Sequence, residues 1–112
     1  MSSNEIRINV FGDFCLVGVD QNNYKLGDDV RALMSGAINV ANLECPVTSA
    51  ETKRSLRSVN FKVEPELLKI LDGFQAVSLA NNHIADYLDQ GIQDTIKHVA
   101  ITGSWRRGWP AR

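Results

Sequence analysis

The fold is decided by the stretch Ala76-Val77-Ser78-Leu79-Ala80-Asn81-Asn82-His83, a short apolar run that ends in two carboxamides and an imidazole. A brief apolar run bounded by polar residues is typical of a buried strand, and residues 88–99 that follow have helical spacing. Proteins of the α/β class bind ligands at the carboxyl ends of parallel strands. The stretch therefore predicts a strand, a polar loop that could carry chemistry, and a helix that packs back on the strand.

Strand-like and helix-like segments alternate along the rest of the chain. Strands are predicted around residues 6–10, 37–44, 59–63 and 74–80, and helices at 28–34, 65–71 and 88–99. This alternation favours an α/β fold with a mainly parallel sheet and flanking helices. We interpret residues 1–101 as one domain, and residues 102–112, which have no period of their own, as an irregular or aberrant tail.

Composition limits the classes of partner. The formal charge of −1 over 112 residues gives no electrostatic reason to expect a nucleic acid or an anionic membrane. No stretch approaches the ~18 apolar residues that span a bilayer, and no signal-like segment leads the chain, so we predict a cytoplasmic protein. Two cysteines, Cys15 and Cys45, without CxxC spacing are interpreted as reduced, buried residues.

Polar side chains follow three of the predicted strands. They belong to Gly12-Asp13, Asn42-Leu43-Glu44 and Asn81-Asn82-His83. Because the carboxyl ends of parallel strands lie on one edge of a sheet, the three groups could converge. Two carboxylates, a carboxamide oxygen and an imidazole suit a divalent cation such as Mn, Zn or Fe. Taken singly, each residue is equally typical of a turn or a surface position.

A wider set of motifs resembles one protein family. The set comprises Gly12-Asp13, Asn42-Leu43-Glu44-Cys45-Pro46, Phe61 with Pro65, Ala80-Asn81-Asn82-His83, Asp86-Tyr87, Gly91 and Thr95. Over residues 6 to 99 these motifs resemble the bacterial capsule-synthesis, poly-γ-glutamate-biosynthesis family. The resemblance implies a calcineurin-like metallophosphoesterase fold, an α/β/β/α sandwich of which this chain covers the amino-terminal part.

The resemblance also implies roles for individual residues. Asp13, Glu44 and Asn82 would be metal ligands, with Glu44 touching both of two divalent ions, which could be Mn, Fe, Zn or Mg. His83 would be the general acid that contacts the scissile group. Supporting or substrate-binding positions would be Asn42, Asn81 and Asp86. The complete protein would hydrolyse a small-molecule or polymer substrate, either a phosphate ester or an amide-linked polymer.

The sequence departs from the family pattern in three ways. The first metal motif reads Asp13-Phe14-Cys15 where the phosphoesterases have Asp-x-His, so Cys15 is either a thiol ligand or a structural residue. Leu88 stands where the family has glycine. The family's remaining ligands come from histidine motifs in a second half, and only His98 follows His83 here.

These observations leave three hypotheses about function and one structural expectation. Either the complete protein is a metal-dependent hydrolase, or the domain is a non-catalytic binding or assembly component of polyglutamate or capsule production. A compact βαβ domain of unrelated function would instead place Asp13, Glu44 and Asn82 far apart. Half of a two-sheet fold would expose apolar sheet surface, through which the chain could self-associate.

Overall fold

The structure is a computed structural model that describes residues 4–20, 22–55 and 59–101, the last residue by its backbone only. In chain order the elements are β1 (Ile8–Phe14), α1 (Asp28–Met34), β2 (Ile38–Leu43), a 3-10 helix (Pro65–Leu71), β3 (Ala76–Ser78) and α2 (Leu88–Ile101). The strands form a parallel sheet in the order β1-β2-β3. The predicted α/β class with a parallel sheet and flanking helices is confirmed.

Most predicted elements form, but β1 runs on to Phe14, past the predicted end at residue 10, and β3 is shorter than predicted. Residues 65–71 adopt a 3-10 helix with Pro65 in its first turn. Residues 59–63 form no strand and contribute one bridge, between Val63 and Val47. The ladder stops there because the next N–H along that side, that of Phe61, donates to the Asp86 carboxylate at 2.8 Å.

Two sequence-based expectations fall partly outside what the structure describes. The tail at residues 102–112 lies outside the described residues. Among residues 4–20, 22–55 and 59–101, no helix is both long and apolar enough to cross a membrane. The cytoplasmic location stays a prediction.

The two faces of the sheet have opposite surroundings. On one face, Ala41 and Leu43 are buried with side chains from the 3-10 helix, which include Leu68 and Leu71. On the other face, β1 and β2 expose apolar side chains: Ile8 is 57% exposed, Val10 79% and Ile38 40%. The sheet is therefore stabilised by burial of the apolar side chains on its core face. Self-association through the exposed face stays a prediction.

Helix α2 is fixed to the segment that follows β2 by a buried threonine. The hydroxyl of Thr95 accepts the N–H of Val47 at 2.9 Å and donates to the carbonyl oxygen of Gly91 at 2.6 Å. A Cβ at position 91 would lie 2.7 Å from the Cβ of Tyr87, which is too close for two carbon atoms. This position therefore requires glycine. These contacts hold in place the loop over residues 79–87, which joins β3 to α2.

The first residue of α2 has a strained backbone. Leu88 has a φ of 59°, in the left-handed region that a Cβ disfavours. Replacing Leu88 by glycine is expected to raise the free energy of unfolding by about 1 kcal/mol, since relief of strain exceeds the added entropy cost. Urea denaturation measures the change. Leu88→Ala keeps the Cβ and should give no gain; an equal gain in both variants would contradict the prediction.

Candidate functional site at the carboxyl edge of the sheet

A bulge in β1 directs the side chain of Asp13 to the edge. The register with β2 shifts between Val10 and Asp13, so that three steps along β1 match two along β2. In a regular strand Asp13 would share the core face with Phe11. The extra residue moves Asp13 to the side of its partner Asn42, while Phe14 returns to the core. Bulges of this kind recur where a protein must redirect a side chain beside a functional site.

Asn42 joins the two carboxylates of the candidate site. Its Nδ2 donates to Asp13 Oδ1 at 2.8 Å and to Glu44 Oε2 at 2.6 Å. Its Oδ1 accepts a hydrogen bond from Asn81 Nδ2 at 3.1 Å. The three strand ends that the sequence places on one edge therefore meet, and two carboxylate oxygens converge on a single nitrogen.

Asn81 ties the loop after β3 to the end of β2. Its Nδ2 also donates to the carbonyl oxygen of Leu43 at 2.8 Å. Its Oδ1 accepts the backbone N–H of His83 at 3.0 Å, a local turn that asparagine side chains commonly form. Asn81 thus shapes the loop that presents the imidazole.

The imidazole of His83 lies between two carboxylates. His83 Nδ1 is 2.6 Å from Asp86 Oδ2, and Nε2 is 4.0 Å from Glu44 Oε1. The side chain is only 15% exposed, and the ring of Phe61 stacks on it with centroids 4.0 Å apart. With Nδ1 donating to Asp86, Nε2 is the nitrogen that faces the edge of the sheet.

Asp86 is the most buried ionisable group at the site. It is 0% exposed, and its Oδ2 accepts the N–H of Phe61 at 2.8 Å in addition to the contact with His83. Its Oδ1 has no hydrogen bond within the described residues and faces the guanidinium of Arg54 at 3.6 Å. A buried carboxylate needs such partners because desolvation of an unpaired charge is costly.

The sequence alone assigns no role at the site to Phe61 or Arg54. Phe61 belongs to the family-like motifs, but its contact with His83 is visible only in the fold. Arg54 lies in a loop rich in Ser, Thr, Lys and Arg, where no spacing singles it out. The spacing of His83 and Asp86, three residues apart in a turn, is the one local signal that could have paired them.

Asn82 and Cys15 differ from the rest of the predicted set. Asn82 is exposed, and no hydrogen bond among the described residues joins it to the two carboxylates. Cys15 is exposed, so the expectation of a buried thiol is wrong for this residue; Cys45 is buried, as expected. The sulfur of Cys45 accepts the N–H of Leu16 at 3.4 Å, and burial is the main cause that raises its pKa to about 11.

The donor set at the edge fits a divalent cation in part. Within the described residues no group of three or more His, Cys, Asp or Glu side chains could hold a metal ion. The carboxylates of Asp13 and Glu44 nevertheless converge on one point, where they both accept hydrogen bonds from the partly positive amide group of Asn42. Carboxylate and carboxamide oxygens are the ligands that hard and borderline cations prefer. The residues therefore fit part of a coordination sphere.

The chain matches a known protein family. Residues 8–104 match the family described as bacterial capsule synthesis protein PGA_cap, whose domain is metallophosphoesterase-like. No curated protein matches the chain. The matched residues contain all three strands and every side chain of the candidate site.

Proposed function

The chain belongs to the bacterial capsule synthesis protein family, and from this premise we propose that its sheet edge is part of a site for metal-dependent hydrolysis. The substrate class is a phosphate ester or an amide-linked polymer. One observation carries the proposal: the carboxylates of Asp13 and Glu44 bind the same Asn42 nitrogen, and His83 Nε2 faces Glu44 at 4.0 Å. Carboxylates and an imidazole are thereby close enough to act on one substrate group.

Metal binding is assigned to oxygen ligands. Asp13 and Glu44 would hold divalent cations (Mn, Fe, Zn or Mg), with the exposed carboxamide of Asn82 as a third ligand. The bound cations would supply a nucleophile derived from water and neutralise charge that develops on the substrate. Cys15 is exposed two residues after Asp13 and would serve as a ligand only for a softer cation.

The proton step is assigned to His83. Its Nε2 would donate a proton to the leaving group, as a general acid does. Asp86 accepts from Nδ1 and so keeps the imidazole in one orientation, in the way carboxylates orient functional histidines in other sites. Asn42 and Asn81 keep the two strand ends and the loop in register.

We further propose that this chain is an amino-terminal fragment and supplies one side of the site. Asp13, Glu44 and Asn82 come from one sheet edge, and a two-metal site needs more ligands than these. The remaining ligands would come from residues outside this chain. An incomplete ligand set binds cations weakly, so this chain alone should have little activity.

A second candidate function has its own support. Asn42 Nδ2 donates to one oxygen of each carboxylate, so a protein side chain holds the two carboxylates together. Two carboxylates held in this way suit a site that binds a ligand without turnover. The domain would then be a binding or assembly component of polyglutamate or capsule production.

Hydrolysis by a longer member of the family separates the two candidates. The histidine equivalent to His83 is replaced by alanine, and release of inorganic phosphate from glycerol phosphate, an alkyl ester whose leaving group needs a proton, is followed with Mn²⁺ present. Loss of the general acid is expected to lower kcat by about 10²- to 10⁴-fold. Replacement of the residue equivalent to His98, which lies on α2, is the control and should leave kcat unchanged. Undiminished hydrolysis in the first variant would contradict the role of His83.

A further inference from the structure

Phe61 contacts the His83 imidazole and its carboxylate partner at the same time. The two rings stack with centroids 4.0 Å apart and planes 21° apart. The backbone N–H of Phe61 donates to Asp86 Oδ2 at 2.8 Å, and the same oxygen lies 2.6 Å from His83 Nδ1. One residue therefore covers the face of the imidazole and fixes the carboxylate at its edge.

Arg54 and Val63, which precede and follow Phe61 in the chain, both form backbone hydrogen bonds. The N–H of Arg54 donates to the carbonyl oxygen of Asp86 at 2.8 Å, and the N–H of Val63 donates to that of Pro46 at 2.9 Å. The guanidinium of Arg54 adds an ion pair with Asp86 at 3.6 Å. The Val63 bond and the bond from the Phe61 N–H to Asp86 fix the backbone beside the Phe61 ring, which is thereby held over the imidazole.

Resting on the proposed function, we infer that Phe61 is a positioning residue for His83. The torsion that turns an imidazole about its Cβ–Cγ bond is broad, so the ring needs contacts to stay in one orientation. Stacking on one face and the Asp86 contact at Nδ1 together keep Nε2 directed to Glu44, 4.0 Å away. Misplacement of a reacting group by about 1 Å costs on the order of 100-fold in rate.

A purely structural role for Phe61 predicts different behaviour. The Phe61 side chain is half-buried and also packs against the core. Phe74 offers a matched control, since it is a buried aromatic residue that packs edge-to-face on Phe11 and Phe14 with centroids 5.3 Å apart, on the core face of the sheet. Loss of core packing should follow from either replacement, whereas loss of imidazole orientation should follow only from replacement of Phe61.

Proton NMR of the 112-residue chain tests the inference without metal or substrate. In the wild type, ring-current shielding should displace the His83 ring protons upfield of those of His98, with Overhauser effects to Phe61. The signal of the Nδ1 proton held by Asp86 should broaden in Phe61→Leu as the imidazole loses its single orientation, whereas Phe61→Tyr and Phe74→Leu should keep it sharp. No Overhauser effect between the two rings in the wild type, or an equal change in Phe74→Leu, would overturn the inference.

Kinetics separate this inference from the proposed function. In the longer family member, replacement of the Phe61 equivalent by leucine should lower kcat for the same alkyl phosphate by about 10- to 100-fold with little change in KM. Replacement by tyrosine should restore it. An unchanged kcat in the leucine variant would overturn the positioning role. Absence of hydrolysis by the wild type would instead overturn the proposed function, and the NMR result would still decide the orientation of His83.

Discussion

Replacement of Asp86 by alanine is expected to lower the free energy of unfolding by about 2 to 6 kcal/mol, because the buried carboxylate is the acceptor for two groups. The carboxylate is 0% exposed and serves three groups. Its loss leaves the N–H of Phe61 and Nδ1 of His83 without their acceptor, and removes the charge that faces Arg54. Each buried polar group left without a partner costs about 1–3 kcal/mol.

Urea denaturation measures the loss, with two comparison variants. Asp86→Asn keeps an acceptor oxygen at the position of Oδ2 and should cost less than the alanine variant, because both hydrogen bonds are kept and only the charge that faces Arg54 is lost. Asp72→Ala is the control: this residue is exposed at the end of the 3-10 helix, and its replacement should change stability by less than about 0.5 kcal/mol. If Asp86→Ala were no more destabilising than Asp72→Ala, the central position of Asp86 in the site would be refuted.

Helix boundaries were predictable because their signals are local. The acidic residues that lead α1 and the Gly36 that follows it gave the bounds Asp28–Met34 that the structure has. Pro65 marked the start of the next helix. Its 3-10 hydrogen bonding was not predictable, since proline at the first turn is compatible with either helix type.

Positions set by tertiary contacts were not predictable. Alternation of residues 6–10 indicates a strand, but the bulge before Asp13, which decides where its carboxylate points, depends on the register with β2. Residues 59–63 have the alternation of apolar and polar residues that is typical of a strand. The strand fails to form because the buried Asp86 carboxylate takes the N–H of Phe61, 25 residues away in sequence.

The convergence of the candidate site was predictable from topology, whereas its internal contacts were not. Parallel strands bring their carboxyl ends to one edge, which placed Asp13, Glu44 and His83 together before the fold was known. The family resemblance assigned Asn42 and Asn81 only supporting positions. In the structure both carboxylates contact Asn42, because it is the partner of Asp13 across the ladder and stands two residues before Glu44.

Replacement of Glu44 by glutamine is expected to abolish most of the affinity for Mn²⁺. Two carboxylates within hydrogen-bond distance of one nitrogen concentrate negative charge at the edge, and Glu44 supplies half of it. Glutamine keeps an acceptor oxygen for Asn42 Nδ2, so the fold should persist while the attraction for the cation falls. We expect Kd to rise by at least about tenfold, since even residues behind the ligands alter metal affinity by 10- to 100-fold.

Isothermal titration and thermal unfolding with and without Mn²⁺ measure this effect, because a cation that binds only the folded chain raises its stability. Glu66→Gln, an exposed replacement in the 3-10 helix, is the control and should bind Mn²⁺ like the wild type. Equal affinities in the Glu44 and Glu66 variants would remove Glu44 from the metal site. Tight binding of two ions by the wild-type chain would instead refute the proposal that further ligands come from outside it, since a complete site needs no second contributor. The two outcomes separate the identity of the ligand from the completeness of the site.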